Sequence, residues 1–426
     1  MTSYEHRETG YKLLKCGKLF DGIHDVLQPD MEILVDGTTI REVGKNLAVP
    51  EGCKTVDLSD VTVTPGMMDA HTHIAGFRPL ERNHELIYNG PAYKGMAVVF
   101  NAERALHRGF TSVRFMGSVA FDSYAALDAK RAINEGFFDA ARLVVMPYVQ
   151  CTPGSHGDFS QILRNNNDLC EHLYGEFPTC GSGADFFVDS VRKQVKYGAD
   201  LIKLMPGGGF ATPNDLPDSM YFTDAEMKAV IDTAHSLGKR ATAHVYADNA
   251  ISKLLEFGLD EFQHCSLASE AILEEMEKKN VPLVPTFTPF EPVVHPKEGK
   301  ELPYYAVKML KYKEALTRTR ELIVKSNITL GFGADASSPT FGYHGAFEYE
   351  AMMKSGLDPF RILKAATSVN AKLLELDDRL GTIEPGKLAD IAGWKRDLLT
   401  DPNALKDCAF VMKEGKIFDT EPVIDD

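Results

Sequence analysis

Two stretches of this 426-residue chain carry side chains with obvious chemistry. In "PGMMDAHTH" the imidazoles of His71 and His73 stand two positions apart, and in "GADLIKLM" the amine of Lys203 sits inside an apolar run. Alternate residues of an extended segment share a face, so His71 and His73 can grip one cation. His244 in "ATAHVYA" and His264 in "QHCS" end two further apolar runs, and Asp335 ends a third in "GFGADA". A lone histidine in such a run is more often a hydrogen-bonded core residue than a ligand. Taken together at matching strand ends, these residues read as a shared metal site.

Imidazoles with a carboxylate suit zinc or a similar borderline divalent ion. Five such ligands exceed what one tetrahedral ion needs, which predicts two ions. Hydrolytic pairs of this kind sit about 3.5–4 Å apart, and their repulsion calls for a bridging anion. Lys203 can become that anion. A lysine is rarely buried without a partner; protonated it would repel metals, and as a neutral amine it would ligate only one. An amine that has captured CO2 is a carbamate with two anionic oxygens, able to bridge both ions. Burial beside cations lowers a lysine pKa and leaves the free amine this reaction needs.

The surrounding elements must bring these residues together. Strand-like runs recur with helical stretches between them: "VTVTPGMMDAHTH", "GFTSVRFMG", "ARLVVMPYVQ", "ADLIKLM", "KRATAHVYA", "DEFQHCS", "VPLVPTFT" and "ITLGFGADAS". "TDAEMKAVIDTAHSLGK" is one intervening helix, with Thr223 as N-cap and Gly238 just past its end. "ASEAILEEMEKKN" is another. Eight strands over this length predict an α/β fold, a (β/α)8 TIM-like barrel of about 250 residues, whose chemistry sits at the C-terminal strand ends. A doubly wound sheet is the alternative, with fewer strands. Both chain ends read as β instead. "YKLLKCGKLFDG" and "MEILVDGTTIREVG" at one end, and "GKLADIAGWKRD" and "CAFVMKEGKIFD" at the other, alternate strand-like runs with Gly and Asp turns. They predict a small β-sandwich domain built from residues 1–64 and 371–426 around a barrel of residues 65–370.

A formal charge of −15 disfavours a nucleic-acid partner. The 7 cysteines form no Cys-x-x-Cys pair and suit a reducing compartment. "MTSYEHRETGYKLL" lacks the apolar core of a secretory signal, and no run of about 18 apolar residues suggests a membrane span. A cytoplasmic protein is the expectation.

The stretches "PGMMDAHTH", "GADLIKLM", "ATAHVYA", "QHCS" and "GFGADA" together resemble the amidohydrolase superfamily in its binuclear form with a carboxylated lysine. "LGTIEPGKLADIAGW" resembles the strand that returns to the small β-domain of these enzymes. The resemblance spans nearly the whole chain and implies a metal-dependent hydrolase. It implies that His71, His73 and Asp335 hold the more buried of two zinc ions and His244 and His264 the other. The carbamate of Lys203 and a hydroxide would bridge them. "CTPGSHGD" and the tyrosine of "AHVYA" resemble the branch of Xaa-Pro dipeptidases, carboxypeptidases and ochratoxinase, although Pro153 and Ser155 depart from that branch's "TGGHGD".

In that branch a metal-bridging hydroxide attacks the scissile carbonyl. The resemblance implies that Asp335 takes the water's proton and passes it to the leaving amine. His156 or Tyr246 would stabilise the oxyanion, and Tyr246 would touch the substrate carboxylate. The implied reaction cleaves dipeptides or N-acyl amino acids and releases a C-terminal amino acid. A cyclic-amide (imidazolonepropionase-like) or lactone hydrolase is the alternative, and a catalytically silent scaffold would be expected to lack some ligands. A small-molecule amide substrate and a homo-oligomeric state are further expectations.

Other residues carry two readings each. Gly208, in the loop "PGGGFATPNDLPDS", offers a backbone amide to a carboxylate or simply belongs to a surface loop. Phe287 and Phe290 line a side-chain pocket or pack in the core. Arg114 binds a carboxylate or makes a structural ion pair, with the ion pair the safer reading. His344 in "GYHGAFEYE" touches substrate or does not, and Cys265 is inert packing.

Overall fold

The computed structural model describes residues 8–75, 90–118, 124–158, 179–212, 214–296, 302, 304–337 and 343–423. Its N-terminal strands are β1 (Tyr11–Leu19), β2 (Gln28–Pro29), β3 (Glu32–Asp36), β4 (Thr39–Gly44) and β5 (Lys54–Pro65). Barrel strands follow as β6 (Met67–His73), β7 (Phe110–Ser118), β8 (Arg142–Gln150), β9 (Ile202–Leu204), β10 (Ala241–Val245), β11 (Glu261–His264), β12 (Leu283–Val284) and β13 (Ala336–Ser337). The chain ends in β14 (Ile391–Trp394), β15 (Cys408–Lys413) and β16 (Lys416–Phe418).

Both chain ends meet in one sheet, ordered β16-β15-β14-β5-β1-β3-β4, with β2 beside β1. Strand β14 lies antiparallel to β5, Ile391 opposite Pro65, so the returning chain seals onto the segment that leads into the barrel. The β15–β16 hairpin turns at Glu414 (φ 47°) and Gly415 (φ 77°). Two positive φ angles mark the turn whose twist matches that of paired strands. Gly415 abuts the β3–β4 turn, where a Cβ would lie 1.9 Å from the Gly37 carbonyl oxygen. The sheet thus folds over its own apolar core, which includes Leu14, Ile33, Val35, Val63, Ile391 and Met412. This is the β-sandwich domain expected from the two β-rich ends. Trp394 donates its ring N–H to Thr64 Oγ1 (3.1 Å) and lies against Gly109, leaving no room for a Cβ there.

The second sheet runs β12-β11-β10-β9-β8-β7-β6-β13, and its neighbours are parallel. A parallel bridge between Leu283 and Leu330 brings its two ends together, so the strands form the expected (β/α)8 barrel. The intervening helices are started and stopped by local sequence signals. Thr223 and Glu226 make a reciprocal capping box at the helix Asp224–Ser236, and Gly238 follows it at φ 68°. Ser269 caps the helix Glu270–Lys278 with its side chain alone, accepting from the Ile272 amide.

The eighth strand differs from its expected continuous form. Between Leu330 and Ala336 the chain presses on its neighbours: a Cβ at Gly333 would lie 2.5 Å from Val284 Cγ1 and 2.7 Å from His71 Cβ. The side chain of Asn370 takes over part of the ladder. It accepts from the Phe332 amide (3.1 Å) and donates to the Phe332 and Met68 carbonyls (2.7 and 2.8 Å). No helix among the described residues is long and apolar enough to cross a membrane.

Candidate metal centre

The barrel brings all the expected ligands to one end. Strand β6 delivers His71 and His73, β9 Lys203, β10 His244 and β11 His264, and Asp335 stands just before β13. Asp335 Oδ1 lies 3.5 Å from both His71 Nε2 and His73 Nε2. Those three residues present ligand atoms within 4.8 Å of one another, a set able to hold a metal ion. Lys203 Nζ is 3.3 Å from His71 Nε2. Ring centroids of His71 and His264 are 4.9 Å apart, and those of His244 and His264 4.4 Å, so the two histidine pairs form one cluster.

Backbone geometry makes this convergence possible. Phe262 packs into the helix-facing core, and strict alternation would send His264 the same way. His264 instead adopts φ 69°, which turns its ring away from that path. Thr286 (φ 48°) and Asp335 (φ 49°) are likewise left-handed. This conformation is uncommon for any residue with a Cβ and a marked departure for a branched one. Such strain clusters at functional sites.

Three of the four imidazoles are also held from behind. His71 Nδ1 contacts Gln263 Oε1 at 2.6 Å, His73 Nδ1 the Gly117 carbonyl at 2.8 Å, and His264 Nδ1 Thr286 Oγ1 at 2.6 Å. These contacts commit one ring nitrogen and aim the other. Nε2 of His244 and of His264 is buried without a hydrogen-bond partner. Burial, with the neighbouring charges, drives His71, His244 and His264 well below the usual histidine pKa and His73 down to about 3. Neutral imidazoles are the form that binds metals. Burial also pushes Lys203 down, toward the free amine, and Asp335 up. Orphaned buried nitrogens, neutral imidazoles and an adjoining carboxylate fit divalent metal ions of the zinc type.

The other candidates divide. The ring of His156 stacks on His244 at 4.6 Å, and its Nδ1 lies 2.8 Å from Thr212 Oγ1 and 3.3 Å from Asp215 Oδ2. Tyr246 stacks on His264 at 5.3 Å and meets His244 edge-on at 4.7 Å. Burial keeps its phenol protonated, well above the usual tyrosine pKa. Both therefore border the centre.

Gly208 does not present a free amide. Its N–H donates to the Ser219 carbonyl (3.1 Å), and the next one, of Gly209, donates to Asp215 Oδ2 (2.8 Å). Phe287 is a core residue rather than a pocket wall, 3% exposed beneath the Arg320 guanidinium at 4.5 Å. Phe290 packs with Phe210 and Tyr246. His344 lies against Phe347 (5.0 Å). Arg114 is committed to a buried ion pair with Glu261, and Cys265 is wholly buried.

Several positioning residues were not singled out from sequence. Asp69 accepts from the His71 and Ala334 amides (2.9 and 3.2 Å) and from the Tyr343 hydroxyl (2.6 Å), tying β6 to the eighth strand. Lys308 clamps the loop after β9, donating to the Gly209 and Asp215 carbonyls and to Asp215 Oδ1 at 2.8, 2.6 and 2.9 Å. Asp69 lies inside the "DAHTH" motif and was available as a signal. Lys308 had none, since 93 residues separate it from Asp215.

The fold and this cluster define a metallohydrolase of the barrel type. A family model described as amidohydrolase family matches residues 62–418, and the chain belongs to that family. It is 24% identical to ochratoxinase of Aspergillus niger over 430 aligned residues, covering 96% of this chain and 87% of that protein. A crystal structure of a Xaa-Pro dipeptidase with methionine bound in its active site superposes with a TM-score of 0.80 at 26% identity, covering 96% of this chain and 100% of that one. A prolidase complexed with N-methylphosphonate-L-proline has the same fold, with a TM-score of 0.82 at 24% identity over 97% of this chain and 100% of that one. The protein is a hydrolase acting on amide or peptide C–N bonds.

Proposed function

We propose that the protein hydrolyses dipeptides or N-acyl amino acids at a binuclear centre and releases a free C-terminal amino acid. The observation that carries this reading is the convergence of His71, His73, His244, His264 and Asp335 around a buried Lys203. His71, His73 and Asp335 would hold one zinc ion, His244 and His264 the second, and carboxylated Lys203 would bridge them. Bound there, the ions supply Lewis acidity for the scissile carbonyl and a lowered pKa for the attacking water.

The side chains divide the remaining tasks. Asp335 accepts the proton of the attacking water and returns it to the leaving nitrogen. His156 and the protonated Tyr246 donate hydrogen bonds to the carbonyl oxygen or to the substrate's carboxylate. The prolidase relative carries a proline-derived phosphonate and the dipeptidase relative a free methionine. Those ligands support a substrate with a C-terminal amino acid. Cysteine usage supports a cytoplasmic setting, and a homo-oligomer is the proposed state.

The test is incubation of the zinc-loaded protein with dipeptides and N-acyl amino acids, pooled by C-terminal residue, and measurement of free amino acid. Release confined to one pool is expected. Silence across all pools with zinc bound, together with opening of cyclic amides or lactones, would overturn the substrate class.

A further inference from the structure

We propose that Gln263 is the positioning residue that sets the tautomer of His71, and so decides which of its nitrogens is free to bind metal. The inference rests on the metal-centre reading above and concerns a residue outside the ligand set.

Gln263 is fully buried and has three polar neighbours. Its Nε2 contacts Glu261 Oε1 and lies 3.0 Å from Thr242 Oγ1, while its Oε1 lies 2.6 Å from His71 Nδ1. The orientation of an amide has to be argued from such a network, and here one member decides it. Glu261 is paired with Arg114, which also donates to the Ala70 and Leu373 carbonyls. A carboxylate so paired only accepts, so the amide nitrogen of Gln263 must face it. The reverse orientation would set two acceptor oxygens against each other. With Nε2 turned to Glu261 and Thr242, Oε1 can only accept, and His71 must carry its proton on Nδ1.

That assignment leaves the Nε2 lone pair directed at Lys203 Nζ and Asp335 Oδ1, 3.3 and 3.5 Å away. The opposite tautomer has its own attraction. A proton on Nε2 would point at the Asp335 carboxylate and block the ligand position. Gln263 removes that option by giving Nδ1–H a buried acceptor that it would otherwise lack. Arg114, Glu261 and Gln263 thus form a relay of fixed polarity ending on a metal ligand.

Two measurements test the inference. Long-range 15N–1H spectra of metal-free wild-type protein, with the His71 signals assigned through His71→Gln, should show the Nδ1–H tautomer. The Nε2–H tautomer would overturn it. Zinc affinity by chelator competition should fall about 10–100-fold in Gln263→Leu. It should change by less than about threefold in Thr242→Val, which disturbs the same layer but spares the His71 contact. Equal affinity of Gln263→Leu and wild type would overturn the inference, and so would an equal loss in Thr242→Val. Wild-type protein that binds no zinc would instead overturn the centre itself.

Discussion

Lys203 Nζ stands 3.3 Å from His71 Nε2 inside the barrel, and burial drives both groups toward their neutral forms. A neutral amine, unlike an ammonium, is the species that attacks CO2. This pairing is why a lysine within an apolar strand is compatible with a metal centre.

Replacing that amine should therefore remove the centre. Lys203→Ala is expected to lose most of its bound metal and its activity, with partial rescue by short carboxylic acids such as acetate. Metal content and turnover measured with and without added acid check this. Full activity in the unrescued variant would contradict the bridging role.

Reassembly should depend on pH with a definite sign. Burial lowers Lys203 from 10.5 to about 7, so its neutral fraction grows as pH rises through that value. Recovery of metal-free protein on adding zinc, with bicarbonate adjusted so that dissolved CO2 is the same at each pH, should be roughly tenfold faster at pH 8 than at pH 6, following the ratio of neutral amine. A rate equal at both pH values, or independent of bicarbonate, would contradict it.

Asp335 is assigned the proton transfer, with Oδ1 3.5 Å from two imidazoles. Asp335→Asn keeps the shape and removes the base. Its turnover should fall by far more than tenfold, a loss above about 1.4 kcal/mol in barrier. A smaller drop, at full metal loading, would contradict the assignment.

Gly209 has no room to grow. A Cβ there would lie 2.2 Å from His156 Nδ1, and His156 stacks on His244. Gly209→Ala should displace His156 and lower kcat/KM about tenfold or more, about 1.4 kcal/mol. The unfolding midpoint should change little. Unaltered kinetics would mean that His156 is not used.

The Arg114–Glu261 pair is buried on both sides, 0% and 2% exposed. Arg114→Met would strand the Glu261 carboxylate, which costs about 3–5 kcal/mol. Denaturant unfolding of the metal-free protein measures that loss, and a value below about 1 kcal/mol would contradict it.

The clustering of the candidate ligands was legible in the sequence because it depends on residue type at strand ends. The His71–His73 spacing, the lysine in "LIKLM" and the Thr223 cap each declare themselves locally. What alternation could not show is the left-handed backbone at His264 and Asp335. The Gly208 loop was ambiguous for a related reason. Glycine permits exposed amides and close packing alike, and here a Cβ at Gly208 would strike the Leu216 carbonyl at 2.2 Å. Gln263 escaped notice because a glutamine beside a histidine says nothing about which way its amide points.

The most direct test of the centre is anomalous diffraction from zinc-loaded crystals grown with bicarbonate. The account predicts two zinc peaks, one beside His71, His73 and Asp335 and one beside His244 and His264, with carbamate density on Lys203 between them. A single peak with a bare Lys203 amine would contradict it.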